Sequence, residues 1–254
     1  MTNGQKVRMK KPMIQIRDVE KNLFTYLFLN KVSTSKQIQR DIYKGISHQA
    51  LYKRLNRLIV FGYLSANYHK ELGGRLVYSL SAKGFTEFVS GEGIKDFRKQ
   101  LQSNSIEHDL DLADIRSKLS SRKMVAGYYT ENFIQSRIES QDEEKLNGFK
   151  GINFDAVVKV NKDGKDHFLP IEHERTLKFV SRYKDYFKKV YSRQEVSAIL
   201  YICSSQSVLE KIQKYEQVVL NSNWPKVFYS TLDGILKNNS ATFYNLKRET
   251  IILE

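Results

Sequence analysis

Residues 152–174 read INFDAVVKVNKDGKDHFLPIEHE, and the fold of the second half of the chain turns on them. Two runs rich in Val, Ile and Phe flank Asn161-Lys162-Asp163-Gly164-Lys165, whose Asp-Gly pair favours a hairpin turn. Asp155 interrupts the first apolar run, and alternation puts it on one face with Asn153, Val157 and Lys159. On the second run Glu172 and Glu174 are two apart and project from the same face. Pairing about 161–165 sets Asp155 opposite 170–172, so three carboxylates are expected to converge. Buried acids repel one another unless a cation neutralises them. Hard oxygen donors select Mg²⁺ or Mn²⁺, and such an ion can activate water against a phosphodiester.

Working outward, 106–119 reads as a helix capped by Ser103 or Ser105, with Ile106, Leu110, Ala113 and Leu119 inward. A β run is expected at 124–134, then a polar acidic loop at 139–144. After the hairpin come a helix at 177–192, a buried strand at 197–203, a helix at 207–220 and a strand at 226–230. The order α-β-β-β-α-β-α-β predicts a mixed sheet flanked by helices, in the α/β class.

The first part of the chain has a different grammar. Helical spacing over 17–30 is followed by Ser33/Thr34 as a cap and a short helix at 35–43. Gly45 breaks it, Ser47 caps a third helix at 48–61, and Gly62 ends that one. Two β runs follow at 63–68 and 75–80, joined through Gly73-Gly74, and a further helix starts at 81–89. Three helices, a tight second turn and a hairpin are the order of a winged helix-turn-helix. The segment from Gly62-Tyr63-Leu64 to Leu76-Val77-Tyr78-Ser79-Leu80-Ser81-Ala82-Lys83-Gly84 resembles the winged-helix pattern of bacterial DNA-binding domains. That resemblance implies a third helix in the major groove and a wing on the backbone. The matching positions are Ser47, His48, Gln49, Tyr52, Lys53, Asn56 and Arg57 on the helix, flanked by Arg54, with Lys70 and Arg75 on the wing.

Charge supports the division. The 254 residues carry a formal net charge of +14. Residues 1–98 hold 18 Lys+Arg against 7 Asp+Glu, while 99–254 hold 24 against 21. The expectation is a basic DNA-binding domain at 1–98 and a near-balanced domain at 99–254, with the linker near Gly91, Gly93 and 95–99. A hydrophobic fraction of 41% with 14 Phe and 15 Tyr supplies real cores and excludes wholesale disorder. The single cysteine, Cys203, excludes a disulfide framework and reads as a small core residue. No apolar run spans a membrane, and Lys6, Arg8, Lys10 and Lys11 lack a following apolar stretch, so no signal peptide is expected. Those features point to a cytoplasmic protein.

Asp155, Glu172-x-Glu174 and the strand order resemble the PD-(D/E)xK nuclease superfamily. Two positions depart from its pattern: Glu174 stands where lysine is usual, and Phe154 replaces the proline before the aspartate. The resemblance implies metal ligation by Asp155, Glu172 and Glu174, with Glu107 joining from the preceding helix. It implies that Lys178 or Lys184 supplies the missing cation, Lys178 being the choice for stabilising the leaving group. His108 and His173, beside these acids, are candidates to ligate or orient. With its winged helix first, then Ile106-Glu107-His108-Asp109-Leu110, Phe154-Asp155-Ala156 and Ile171-Glu172-His173-Glu174, residues 17–205 look like the MobC/TraX-type replication-relaxation proteins of mobile plasmids. That likeness implies a conjugative relaxase that nicks a transfer origin, binds double- and single-stranded DNA, and works with a coupling protein and other relaxosome proteins, away from the membrane. Tyr183, Tyr186 and Tyr191 lie among Arg182, Lys184, Lys188 and Lys189, as nucleophiles for a covalent link or, more simply, as packing or base-stacking residues. The competing expectations are a non-catalytic DNA-binding regulator or accessory protein with a degenerate nuclease-like domain, and a restriction-like endonuclease.

Overall fold

The computed structural model describes residues 14–90, 102–136, 141–149, 154–220 and 224–254. The N-terminal basic residues, the expected linker, Asn153 and positions 139–140 of the acidic loop lie outside them.

Helix α1 (Asp18–Asn30) buries Leu23, Phe24, Leu27 and Phe28, which is the i, i+1, i+4, i+5 stripe of an amphipathic helix. A short strand β1 (Val32–Thr34) follows, a piece the sequence reading did not contain. Thr34, not Ser33, caps α2 (Ser35–Asp41): its side chain accepts from Gln37 N, and Gln37 answers on the Thr34 amide. Ser47 caps α3 (His48–Val60), whose Leu51, Leu55 and Leu58 face inward. Strands β2 (Leu64–His69) and β3 (Arg75–Leu80) form the hairpin, and α4 (Ala82–Phe88) closes the core on Phe85. The sheet order is β1-β3-β2, antiparallel throughout.

The second sheet has the order β10-β9-β8-β7-β6-β5-β4. Its members are β4 (Val125–Thr130), β5 (Ala156–Lys162), β6 (Lys165–Glu174), β7 (Ile199–Cys203), β8 (Val227–Thr231), β9 (Ala241–Tyr244) and β10 (Thr250–Leu253). The centre, β6-β7-β8, is parallel, and both flanks are antiparallel. Every residue of β7 is buried, as expected of a parallel strand covered on both faces. Helices α5 (Ile106–Ser120) and α10 (Leu232–Lys237) cover the face of Ala156, Val158, Ile171, Leu200 and Ile202. Helices α8 (Val180–Ser192) and α9 (Gln206–Leu220) cover the face of Val157, Ile199, Tyr201 and Cys203. The molecule is mixed α and β, in agreement with the expected class.

Several boundaries differ from expectation. The run expected to continue to 134 ends at Thr130, whose side chain accepts from Phe133 N and starts α6 (Glu131–Gln135). Helix α7 (Glu143–Asn147) takes up the end of the expected acidic loop. The helix expected from 177 begins at Val180, because Phe179 is its cap. Beyond 230 the sequence reading stopped, yet α10, β9 and β10 complete the sheet.

Helix α5 also joins the two sheets. Gln37 Nε2 donates to Leu110 O at 2.9 Å, Ser117 Oγ to Asp41 at 2.8 Å, and Arg40 pairs with Asp114 at 2.6 Å. Lys31 reaches Glu131 at 2.8 Å, and Asn132 Nδ2 donates to Phe28 O at 2.6 Å. Among the described residues no helix is long and apolar enough to cross a membrane.

Candidate functional site

The hairpin register is the one the turn dictates. Asp163 and Gly164 take positive φ of 52° and 73°, and Ala156 pairs with Ile171. Asp155, one residue before β5, donates its amide to Ile171 O at 3.1 Å and so stands across from Glu172. Its Oδ2 accepts from His173 N at 2.7 Å. Alternation along β6 then sends Glu172 and Glu174 to the α8 face and His173 to the α5 face, against Asp111 and Ile202 O.

Glu172 is the least satisfied of the three acids. Its Oε2 is buried and has no hydrogen-bond partner. Burial, reinforced by the charges of Asp155 and Glu174 and opposed by Lys178, holds its carboxyl well above the usual carboxylate range. Glu174 is buried but paired: Lys178 Nζ lies 3.0 Å from its Oε1, and Tyr201 Oη 3.5 Å from its Oε2. Lys178 therefore brings a cation to the place where Glu174 displaces the expected lysine.

The preceding helix contributes differently from expectation. Glu107 is held in an ion pair with Arg175 at 2.9 Å, and Asp111 also binds Arg175. The next residue, His108, is the one that reaches the acids. Its Nε2 lies 3.4 Å from Asp155 Oδ2 and 3.1 Å from His173 O, and its Nδ1 3.5 Å from Asp109. Burial opposes the imidazolium, but the bonds to Asp109 and Asp155 outweigh it and lift the ring to about 10. Both ring nitrogens face acceptors, an arrangement that favours the protonated ring. His108, a candidate from sequence to ligate or orient, does reach Asp155, whereas Arg175 carries no sequence signal and the fold alone selects it.

Two hollows open on either side of these acids. A cleft of about 130 Å³ is walled by Lys31, His108, Asp109, Tyr128, Glu131 and Asp155. A groove of about 470 Å³ along α8 contains Glu172, Glu174 and Lys178. Among the described residues, no set of three His, Cys, Asp or Glu side chains stands close enough together to hold a metal ion. Asp155 and Glu172 stand opposite each other across the strand pair, near enough for the charge of Asp155 to act on Glu172, while each lines its own hollow. Mg²⁺ characteristically keeps waters and binds through one or two carboxylates plus substrate phosphate. A buried carboxylate oxygen without a partner is the kind of donor it would satisfy.

The hydroxyls of the α8 tyrosines are buried or already engaged. Burial and three nearby carboxylates raise Tyr186 well above its ordinary range. Tyr183 accepts from Lys178 N, Tyr191 donates to Glu216, and burial raises both.

On the basic face, Ser47, His48, Gln49, Tyr52, Lys53 and Arg57 are exposed along α3, with Asn56 half-buried behind them. Ser47 accepts from Ala50 N at 3.2 Å and is engaged as the cap. Arg54 turns inward to the buried Glu20 at 2.8 Å. Lys70 and Arg75 are exposed at opposite ends of the β2–β3 connection. Comparison with protein-family models, with curated proteins and with solved structures finds no match to this chain.

Proposed function

We propose that this protein is a divalent-metal-dependent DNA endonuclease that cuts one strand at a specific site, in the manner of a plasmid relaxase. The observation that carries the reading is the Asp155–Glu172 pair: two acids across a strand pair, one with a buried unpartnered oxygen, beside Lys178. In this reading residues 99–254 form a nuclease-like domain, and Asp155 and Glu172 hold Mg²⁺ or Mn²⁺ with the DNA phosphate. Such an ion supplies charge neutralisation at the phosphate and a polarised water. Glu174 anchors Lys178, whose ammonium stands beside the developing charge of the leaving group. His108 fixes the Asp155 carboxylate through Oδ2.

Residues 1–98 act as a winged helix: the helix order and the β1-β3-β2 sheet support this, as do the exposed cations of α3. Lys53 and Arg57 approach phosphate or guanine edges, and Gln49 and Asn56 adenine edges. The work belongs in the cytoplasm, at a transfer origin, with a coupling protein and relaxosome proteins as partners.

The test is incubation of supercoiled plasmid carrying the cognate origin with Mg²⁺, Mn²⁺ or EDTA. Open-circular product in metal and none in EDTA is the expected result; no product with either metal overturns the reading. A second reading, a DNA-binding accessory protein without catalysis, is favoured by one observation, Glu174 standing where the nuclease pattern has lysine. Site-specific binding without cleavage would establish it.

A further inference from the structure

Helix α5 starts without a side-chain cap. Ser105 stands at the cap position with extended backbone (φ −150°, ψ 94°), yet its hydroxyl accepts no bond from the first turn. That turn carries His108, and it is held from the sheet instead. Arg175, the residue after β6, gives one nitrogen to Glu107 at 2.9 Å and another to Asp111. The two carboxylates are four residues apart and so lie one above the other on the helix. A planar guanidinium fork on both sets the height and the rotation of the turn together, which the point charge of an ammonium does not do. Arg175 is itself pinned, because Ser204 Oγ, just past β7, donates to its carbonyl at 2.6 Å. Asp111 has a second contact: its Oδ2 lies 3.1 Å from His173 Nε2. The buried His173 ring stacks on the His108 ring, with centroids 5.3 Å apart and planes 25° apart. His108 is thus fixed both through its helix and through its ring face, and what it touches there is Asp155 Oδ2.

We propose that Arg175 is a positioning residue of the site: through Glu107 and Asp111 it holds the first turn of α5 so that His108 stands on Asp155. Glu107 then serves as an anchor of this clamp and not as a metal ligand. With Arg175 30% and Glu107 47% exposed, their pair adds little stability; what it supplies is orientation. Only the consequence for cleavage rests on the nuclease reading, and the clamp itself stands without it.

The experiment follows the His108 ring protons by NMR in the full chain, in EDTA and without DNA, the signals being identified by their loss in His108→Gln. The stacked His173 ring displaces these resonances, so they report where the His108 ring sits. Arg175→Met is expected to abolish the displacement, Glu107→Gln to remove part of it, and Arg175→Lys to retain less of it than the wild type. Lys237→Met, at an exposed pair with Asp233 on α10, should leave it intact. Circular dichroism checks that each variant is folded; if Arg175→Met is not, Glu107→Gln decides. Unmoved resonances in the folded variants overturn the proposal. So does a Glu107→Gln protein that keeps His108 in place but binds Mn²⁺ more weakly, which would return Glu107 to the metal ligands. In Mn²⁺, Arg175→Met should nick origin DNA with kcat at least about ten-fold lower and KM for DNA unchanged. No nicking by the wild type refutes the nuclease reading alone, whereas a displaced His108 with an unchanged nicking rate overturns the positioning role alone.

Discussion

Glu216 lies wholly inside the protein between α9 and the sheet, where its two oxygens accept hydrogen bonds from Tyr191 and Tyr229. Burial pushes its carboxyl from 4.5 up to about 7, with those two hydrogen bonds opposing the rise. A carboxyl raised on folding stabilises the folded chain fully below 4.5, and the stabilisation is lost as pH climbs through 7. At ~1.4 kcal/mol per pH unit, the interval from 4.5 to about 7 amounts to roughly 3 kcal/mol. Glu216→Gln removes the charge and keeps groups that can bond both tyrosines. Denaturant unfolding from pH 4.5 to pH 8 should show the variant and the wild type within about 0.5 kcal/mol at the acid end. At pH 8 the variant should be more stable by about 2–3 kcal/mol, or several degrees in Tm. Parallel pH profiles for the two proteins would refute the reasoning. The position matters for function because Tyr191 belongs to α8, so this contact pins the helix that walls the groove.

Other outcomes follow from packing and charge. Gly84→Ala should destabilise by about 1–3 kcal/mol, read by thermal unfolding, because the added Cβ meets Tyr63 O at 2.5 Å and Leu80 Cδ1 at 2.8 Å. Phe187→Ala, from the core between α8 and the sheet, should cost about 3–5 kcal/mol in denaturant unfolding. Gln37→Ala leaves Leu110 O without its donor and should cost about 1–2 kcal/mol by the same measurement. Arg57→Ala should weaken duplex binding in a filter or anisotropy assay and reduce its salt slope by about 0.9; unchanged binding would show that α3 does not touch the duplex.

The parts of this protein written in local chemistry are legible in its sequence. Asp163-Gly164 specifies the turn, the turn specifies the register, and the register puts Asp155 across from Glu172. Ser47, Thr34 and Ser81 announce three helices through side-chain caps. What depends on long-range partners is not legible. Strand β1 is three residues long and exists because Val32, Ser33 and Thr34 pair with β3. Strands β9 and β10 are short edge pieces whose apolar residues gain meaning only against α10 and β8. Within the site, the nuclease resemblance nominates Glu107, but Arg175 claims it, and the helical phase of α5 turns its neighbour His108 to Asp155. Charge arithmetic located the basic half, but it did not show that Arg54 is spent on Glu20.

The central claim is that Asp155 and Glu172 together perform metal-dependent strand cleavage. The direct measurement is the single-turnover nicking rate, in Mn²⁺, of wild type, Asp155→Asn and Glu172→Gln on origin DNA to which all three are bound to saturation. The account predicts open-circular product from the wild type and a loss of at least about a thousand-fold in each variant, with duplex affinity unchanged. Nicking by either variant at the wild-type rate would contradict it.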